Sequence, residues 1–247
     1  MQTLLGKTKI LSANILKIIA AISMLIDHIG FLFFPEKEIY RIIGRLAFPI
    51  FAFFIAEGTK YTKNKLRYFL QIFILAVIMQ SVYFLYNGSL EMCIFVTFSL
   101  SITLIYSLNL LKDLTFSQNK KPMKIILALL LFLVLLILTF RLTQVVNVDY
   151  SFFGVLTPVI VSLFTSKPYY PSLIKKLDNH YLKLLLLAVS LVIVYLHLGW
   201  YQLYALISLP ILFFYSEKRG KLKLKYFFYA FYPLHLLLLQ AVYILIN

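Results

Sequence analysis

Long apolar runs alternate with short polar intervals, most of them basic, along the whole 247-residue chain. A helix that crosses a bilayer needs about 20 predominantly apolar residues, within a range of about 17–25. By that measure the pattern predicts nine spans: Ile15–Phe34, Ile42–Glu57, Leu66–Tyr86, Leu90–Leu111, Met123–Phe140, Tyr150–Thr165, Leu182–Leu198, Tyr201–Tyr215 and Tyr226–Ile246. The second, sixth and eighth are short, so a re-entrant or interfacial reading stays open for one of them. The polar intervals are too brief to hold a soluble domain. None carries a Walker A loop or a dinucleotide fingerprint. The predicted fold is an all-α, polytopic membrane bundle of about nine helices, a single integral-membrane domain over residues 1–247.

Composition agrees with the pattern. The chain is 62% hydrophobic and only 13% charged, against about 45–50% apolar in soluble domains. A formal charge of +15 would point to nucleic acid in a soluble protein. Here its distribution explains it instead. Lys7, Lys9 and Lys17 stand at the start, and basic residues cluster again after the second, fourth, sixth and eighth spans. The other intervals hold only Lys37, Arg41, Arg45 and Arg141. The positive-inside rule then places the N-terminus in the cytoplasm and the C-terminus outside, in a multi-pass protein of the plasma membrane. The bilayer is the expected partner, and nucleic acid is not. The first run contains Asp27 and His28 and lacks a small-residue cleavage site, so it reads as a retained helix and not a signal peptide. A single cysteine, Cys93, allows no intrachain disulfide, and no cysteine or histidine spacing suits a metal, so none is expected.

The candidate chemistry lies in the few polar residues inside the spans. An aspartate at the bilayer centre costs roughly 2.5–3.5 kcal/mol on insertion scales, so it faces a bundle interior or a watered cavity. Asp27 and His28 are adjacent, hence 100° apart on a helix, and point to different neighbours. Asp27 suits a pairing with another helix. Lys17 and His28, eleven residues apart, share one face about 16 Å apart along the axis. Lys17 is either a snorkelling residue at the inner interface or part of a site. Arg41 and Arg45, at i and i+4, share a face of the second span. Pro49 removes the helical partner of the Arg45 carbonyl, which in lipid must find protein or water. Arg45 is therefore expected to meet Asp27 or His28 at similar depth, either as a structural ion pair or in a polar cavity. Glu57, at the inner end of the span, suits helix-end solvation or a functional role. His235 follows Pro233 in mid-span, with Tyr229 and Tyr232 as expected hydrogen-bond partners. Asp149 borders the cavity or caps the sixth span.

These residues carry a family resemblance. The chain resembles the TraX family, whose founding members acetylate the N-terminus of F-type conjugative pilin. The matching stretches are Leu16 to Gly30 with Asp27-His28; Arg41-Ile-Ile-Gly44-Arg45-Leu-Ala-Phe48-Pro49; Glu57-Gly58; Asp149-Tyr150 with Gly154; and Phe228-Tyr-Ala-Phe231-Tyr232-Pro233-Leu234-His235. The family is similar to the wider membrane acyltransferases that place a basic residue, ten intervening residues and a histidine in their first helix. Lys17 and His28 fit that spacing. The resemblance implies acetyl-CoA as the acyl donor and His28 as the catalytic base. We assign Asp27, Arg45 and His235 to the same catalytic set, and donor binding to Lys17, Arg41 and Glu57. The acceptor is expected to be an amine or hydroxyl, on a pilin-like protein or a cell-surface glycan.

Two other classes suit the same residues. Intramembrane Asp, His and Arg on kinked helices also fit a small proton-coupled transporter or permease subunit. Against that reading, the chain has no internal repeat of the transporter kind. A non-catalytic membrane assembly factor is the third reading.

Overall fold

A computed structural model describes residues 10–88 and 92–246. Eleven α-helices and one 3-10 helix are described: α1 Ala13–Phe33, α2 Glu38–Gly44, α3 Ala47–Tyr61, α4 Lys65–Asn87, α5 Ile94–Phe116, α6 Pro122–Val145, α7 Ser151–Val161, α8 Ser172–Leu177, α9 His180–Leu198, the 3-10 helix Trp200–Ile207, α10 Ser208–Phe213 and α11 Lys225–Ile246. The chain is an all-α polytopic membrane protein. Among the described residues seven segments are long and apolar enough to cross a membrane, with α2 and α3 in series as one of them, Glu38–Tyr61.

The second span is therefore longer than its apolar run, because α2 starts at the polar Glu38 and α3 continues past Glu57 to Tyr61. The sixth and eighth remain short, as Ser151–Val161 and Trp200–Phe213. Eleven residues at about 1.5 Å each reach only about half of the roughly 30 Å hydrocarbon core. The topology inferred from Lys7 and Lys9 rests partly on residues outside those described.

Local signals set the helix ends. Ser12 caps α1 by accepting from the Ile15 amide, and Pro35 follows directly after its last turn. Asn64 caps α4, accepting from the Arg67 amide at 2.8 Å. Gly88 closes α4 with φ +63°, its N–H donating a hydrogen bond to the Phe84 carbonyl. Pro49 falls in the first turn of α3, where its missing N–H costs nothing, so the second span breaks at Arg45–Leu46 instead of kinking. Tyr150, not Asp149, occupies the N-cap of α7.

The chain forms two compact units, one drawn from the chain up to Phe54 and from Leu191 onward, the other Ile55–Ser190. In the first unit α1 packs closely on α2. Ser23 donates its hydroxyl to the Ile43 carbonyl, and Tyr40 lies where a side chain at Gly30 would go. Small residues allow such approach between membrane helices. The basic segment after α10 docks on the start of α1, where the Ala13 and Asn14 amides donate to the Lys218 and Arg219 carbonyls at 2.9 and 3.1 Å.

In the second unit Leu104 and Ile105 of α5 pack with Val155 and Val159 of α7. Ser101 donates to the Val155 carbonyl at 2.8 Å. The Lys112 ammonium gathers the carbonyls of Leu163 and Thr165, each at 3.1 Å, just past the end of α7. Glu57 is buried and accepts from Lys183 at 2.7 Å, so it is not solvated at a helix end. Lys183 lies 3.1 Å from Asp178, which also pairs with Lys60 at 2.8 Å. Burial opposes ionisation of Asp178, but the Lys60 hydrogen bond, the Ser166 amide and the Lys183 charge outweigh it and hold its carboxyl at about 2.

Breaking a buried pair by removing one partner costs about 3–5 kcal/mol, whereas replacing both with apolar groups is often neutral. Glu57→Leu is therefore expected to lower the thermal midpoint in detergent sharply, and Glu57→Leu with Lys183→Met to recover most of the loss. Equal midpoints for the single and double variants would contradict this pairing.

Candidate active site

Asp27, His28, Arg41, Arg45 and His235 of the first unit gather around the C-terminal half of α1. Asp27 turns toward α2. Its carboxylate accepts from Arg41 Nη1 at 3.1 Å and from Arg45 Nη2 at 3.1 and 3.3 Å. Arg45 Nε also donates to the Arg41 carbonyl at 3.2 Å. The i, i+4 spacing puts both guanidiniums on one face of the α2 end, and Gly44 lies between them in sequence. A Cβ at Gly44 would collide with the Asp27 carboxyl and its own Cβ. The glycine is thus the gap through which the carboxylate reaches two cations at once.

The two arginines are not equivalent. Arg45 is 8% exposed and buried with the carboxylate, whose side chain is 15% exposed. The Arg41 side chain is 38% exposed, and its guanidinium lies 5.5 Å from the Phe31 ring centre. One carboxylate between two guanidiniums leaves one positive charge in excess. Arg41 presents that charge at the more open edge of the cluster. Such a charge is able to stabilise an oxyanion or an anionic ligand.

His28, 100° further round α1, turns instead to α11. Its Nδ1 lies 2.8 Å from His235 Nε2, with 5.0 Å between the ring centres. His235 is 5% exposed, and its Nδ1 lies 2.7 Å from the Phe231 carbonyl. Both of its ring nitrogens are therefore engaged, and neither by a tyrosine hydroxyl. Tyr232 meets both imidazoles edge-on, at 6.4 and 5.6 Å.

The structure thus brings together Asp27 with Arg41 and Arg45, and His28 with His235. Arg45 meets Asp27, not the imidazole. Lys17 is apart from both groups. Its ammonium sits 4.9 Å from the Phe54 ring centre, near the N-terminal end of the same helix. Glu57 belongs to the second unit, where Lys183 occupies its carboxylate. Sequence reasoning missed the roles of Phe231 and Lys183 as partners. The only signal for Phe231 was its position four residues before His235, within side-chain reach on a helix.

Comparison with known proteins adds a family-level match. The model of the family described as "TraX protein" matches residues 12–243. A similar curated protein, "Uncharacterized protein RP591" of Rickettsia prowazekii (strain Madrid E), is 49% identical over 67 residues, 27% of this chain and 25% of that one. Another, "Probable fimbrial assembly protein FimC, serogroup H1" of Dichelobacter nodosus, is 37% identical over 76 residues, 29% of this chain and 31% of that one. The chain spans between a quarter and a third of the length of these relatives. No solved structure matches.

Gly44→Ala tests the close approach. Forcing an extra carbon into a filled site costs about 1–3 kcal/mol. A lower thermal midpoint in detergent is expected, and an unchanged one would contradict the packing of Asp27 against Gly44.

Proposed function

The chain belongs to the TraX family, a family linked to conjugative pilus assembly, and from that premise we propose that it is an integral-membrane acetyltransferase using acetyl-CoA. The observation that carries the reading is the mid-span imidazole of His28, set directly after a carboxylate shared by two guanidiniums. A partly buried base next in sequence to a preorganised positive cluster suits acyl transfer.

In the proposed reaction an amine or hydroxyl of the acceptor attacks the carbonyl carbon of the acetyl thioester. His28, neutral before attack, takes the proton from the attacking nitrogen or oxygen. The excess charge at Arg41 stabilises the oxyanion as it forms. When the tetrahedral intermediate collapses, the carbon–sulfur bond breaks and the thiolate takes the proton from His28. Asp27 and Arg45 hold their places and do not exchange protons. Arg45 is too buried and too fully engaged with Asp27 to act as the oxyanion donor.

The donor comes from the cytoplasm, whose face carries most of the basic residues and attracts its phosphates. Lys17 lies about 16 Å before His28 along α1, a span the pantetheine arm bridges. We propose Lys17 as a contact for the donor and leave Glu57 out, because its carboxylate is already held by Lys183. The acceptor is a pilin-like protein or a cell-surface glycan, met on the outer side of the plasma membrane. The name of the Dichelobacter nodosus relative, a probable fimbrial assembly protein, favours the first.

His28→Ala should keep expression and fold, with a somewhat lower thermal midpoint because His235 Nε2 loses its donor. It should lose transfer of labelled acetyl from CoA by at least the factor of about 10²–10⁴ typical of a general base. Retained transfer would reject the assignment. Acetylated molecules present only in cells carrying the wild-type protein would identify the acceptor by mass spectrometry.

A further inference from the structure

We infer that His235 is a positioning residue that fixes the tautomer of His28, so that the free lone pair of His28 sits on Nε2. The catalytic meaning of this rests on the transferase reading above, but the tautomer itself rests on geometry alone. The constraint begins at Phe231. Its carbonyl oxygen lies 2.7 Å from His235 Nδ1. A carbonyl only accepts, so His235 Nδ1 carries the proton. In a neutral imidazole the second nitrogen is then an acceptor. That nitrogen, His235 Nε2, lies 2.8 Å from His28 Nδ1. His28 Nδ1 must therefore donate, and it holds the only ring proton of neutral His28.

The consequence falls on the far side of the ring. His28 Nε2 is left with an unshared pair, and no hydrogen bond engages it among the described residues. A base needs its lone pair on the nitrogen that faces the substrate, and the hydrogen bond at the other nitrogen decides which one that is. Free neutral imidazole side chains in water favour the proton on Nε2, so His28 without its partner would present a proton there. The bond to His235 reverses this preference.

The arrangement is held from several sides. The Phe231 ring stacks on His235 at 4.9 Å, nearly parallel at 16°. The His28 ring meets the edge of His235 through their hydrogen bond, nearly coplanar at 5.0 Å and 23°. Tyr232 blocks rotation of both rings edge-on. When His28 Nε2 accepts a proton, Nδ1 keeps its own and its bond to His235. The same ring then returns the Nε2 proton to the thiolate, and neither imidazole turns.

The test uses the full chain in bicelles, with 15N-labelled histidine, and reads the protonation of each ring nitrogen near neutral pH. The chain has four histidines, and His28→Gln assigns the His28 signals by difference. The expected result is a protonated Nδ1 and a bare Nε2 on His28. A protonated Nε2 on neutral His28 overturns the inference. Two substitutions then separate tautomer control from packing. In His235→Gln the amide reaches the place of Nε2 and offers an oxygen to His28 Nδ1–H. In His235→Asn the shorter amide reaches only the place of Nδ1, toward Phe231. Gln is expected to keep the Nδ1–H form of His28 and to restore much of the kcat that Asn loses. Asn is expected to shift the His28 proton to Nε2 and lower kcat by about 10²-fold or more, the scale of a displaced general base, with the donor KM unchanged. The same His28 tautomer in all three proteins overturns the role given to His235. Should the wild type transfer no acetyl group, the transferase reading falls while the ring-nitrogen spectra still decide this one.

Discussion

One carboxylate shared by two guanidiniums, inside apolar helices, sets the geometry of the first unit. In hydrocarbon an unpaired Asp27 would be costly, and so would an unpaired Arg45. Bringing them together satisfies both, but only if α1 and α2 approach to the distance that Gly44 permits. That approach fixes the rotation of α1. Once Asp27 faces α2, the 100° step of the helix carries His28 round to α11 and His235. The ion cluster thereby orients an imidazole it does not touch.

Buried charge means different things in the two units. Glu57, Lys183, Asp178 and Lys60 in the second unit comprise two acids and two bases, each paired. The group is neutral and inward-turned, as befits a staple. Lys112 does similar work for the carbonyls after α7. The cluster around Asp27 is instead unbalanced by one positive charge, and the more exposed arginine carries it. An excess charge kept partly open beside a histidine is poor economy for stability alone, and is the better candidate for chemistry.

Much of this was legible in the chain, for identifiable reasons. The apolar runs marked the spans because lipid demands that each one satisfy its own backbone. The adjacency of Asp27 and His28 implied different partners, and the i, i+4 arginines supplied one of them. Other features escaped because periodicity is local. His28 and His235 are 207 residues apart, and Glu57 and Lys183 are 126 apart, so no helical wheel links them. Glu57 looked like a solvated helix end because its counter-charge lies in another span. The second span looks short in sequence because Arg41 ends its apolar run, although the helix starts before it, at Glu38. Pro49 suggests a carbonyl freed inside one continuous helix, whereas it lies in the first turn of a new one. Family resemblance, and not pattern, supplied the donor and the reaction class.

The claim that Asp27 and Arg45 act as one unit is open to a direct thermodynamic measurement. Unfolding free energies in bicelles would be compared for the wild type, Asp27→Asn, Arg45→Gln and the double variant. Coupled partners show interaction energies of about 0.5–3 kcal/mol, while independent sites add to within about 0.3–0.5 kcal/mol. The shared carboxylate predicts that the double variant is much less destabilised than the two single losses taken together. Simple additivity of those losses would contradict it, and with it the account of how His28 is aimed.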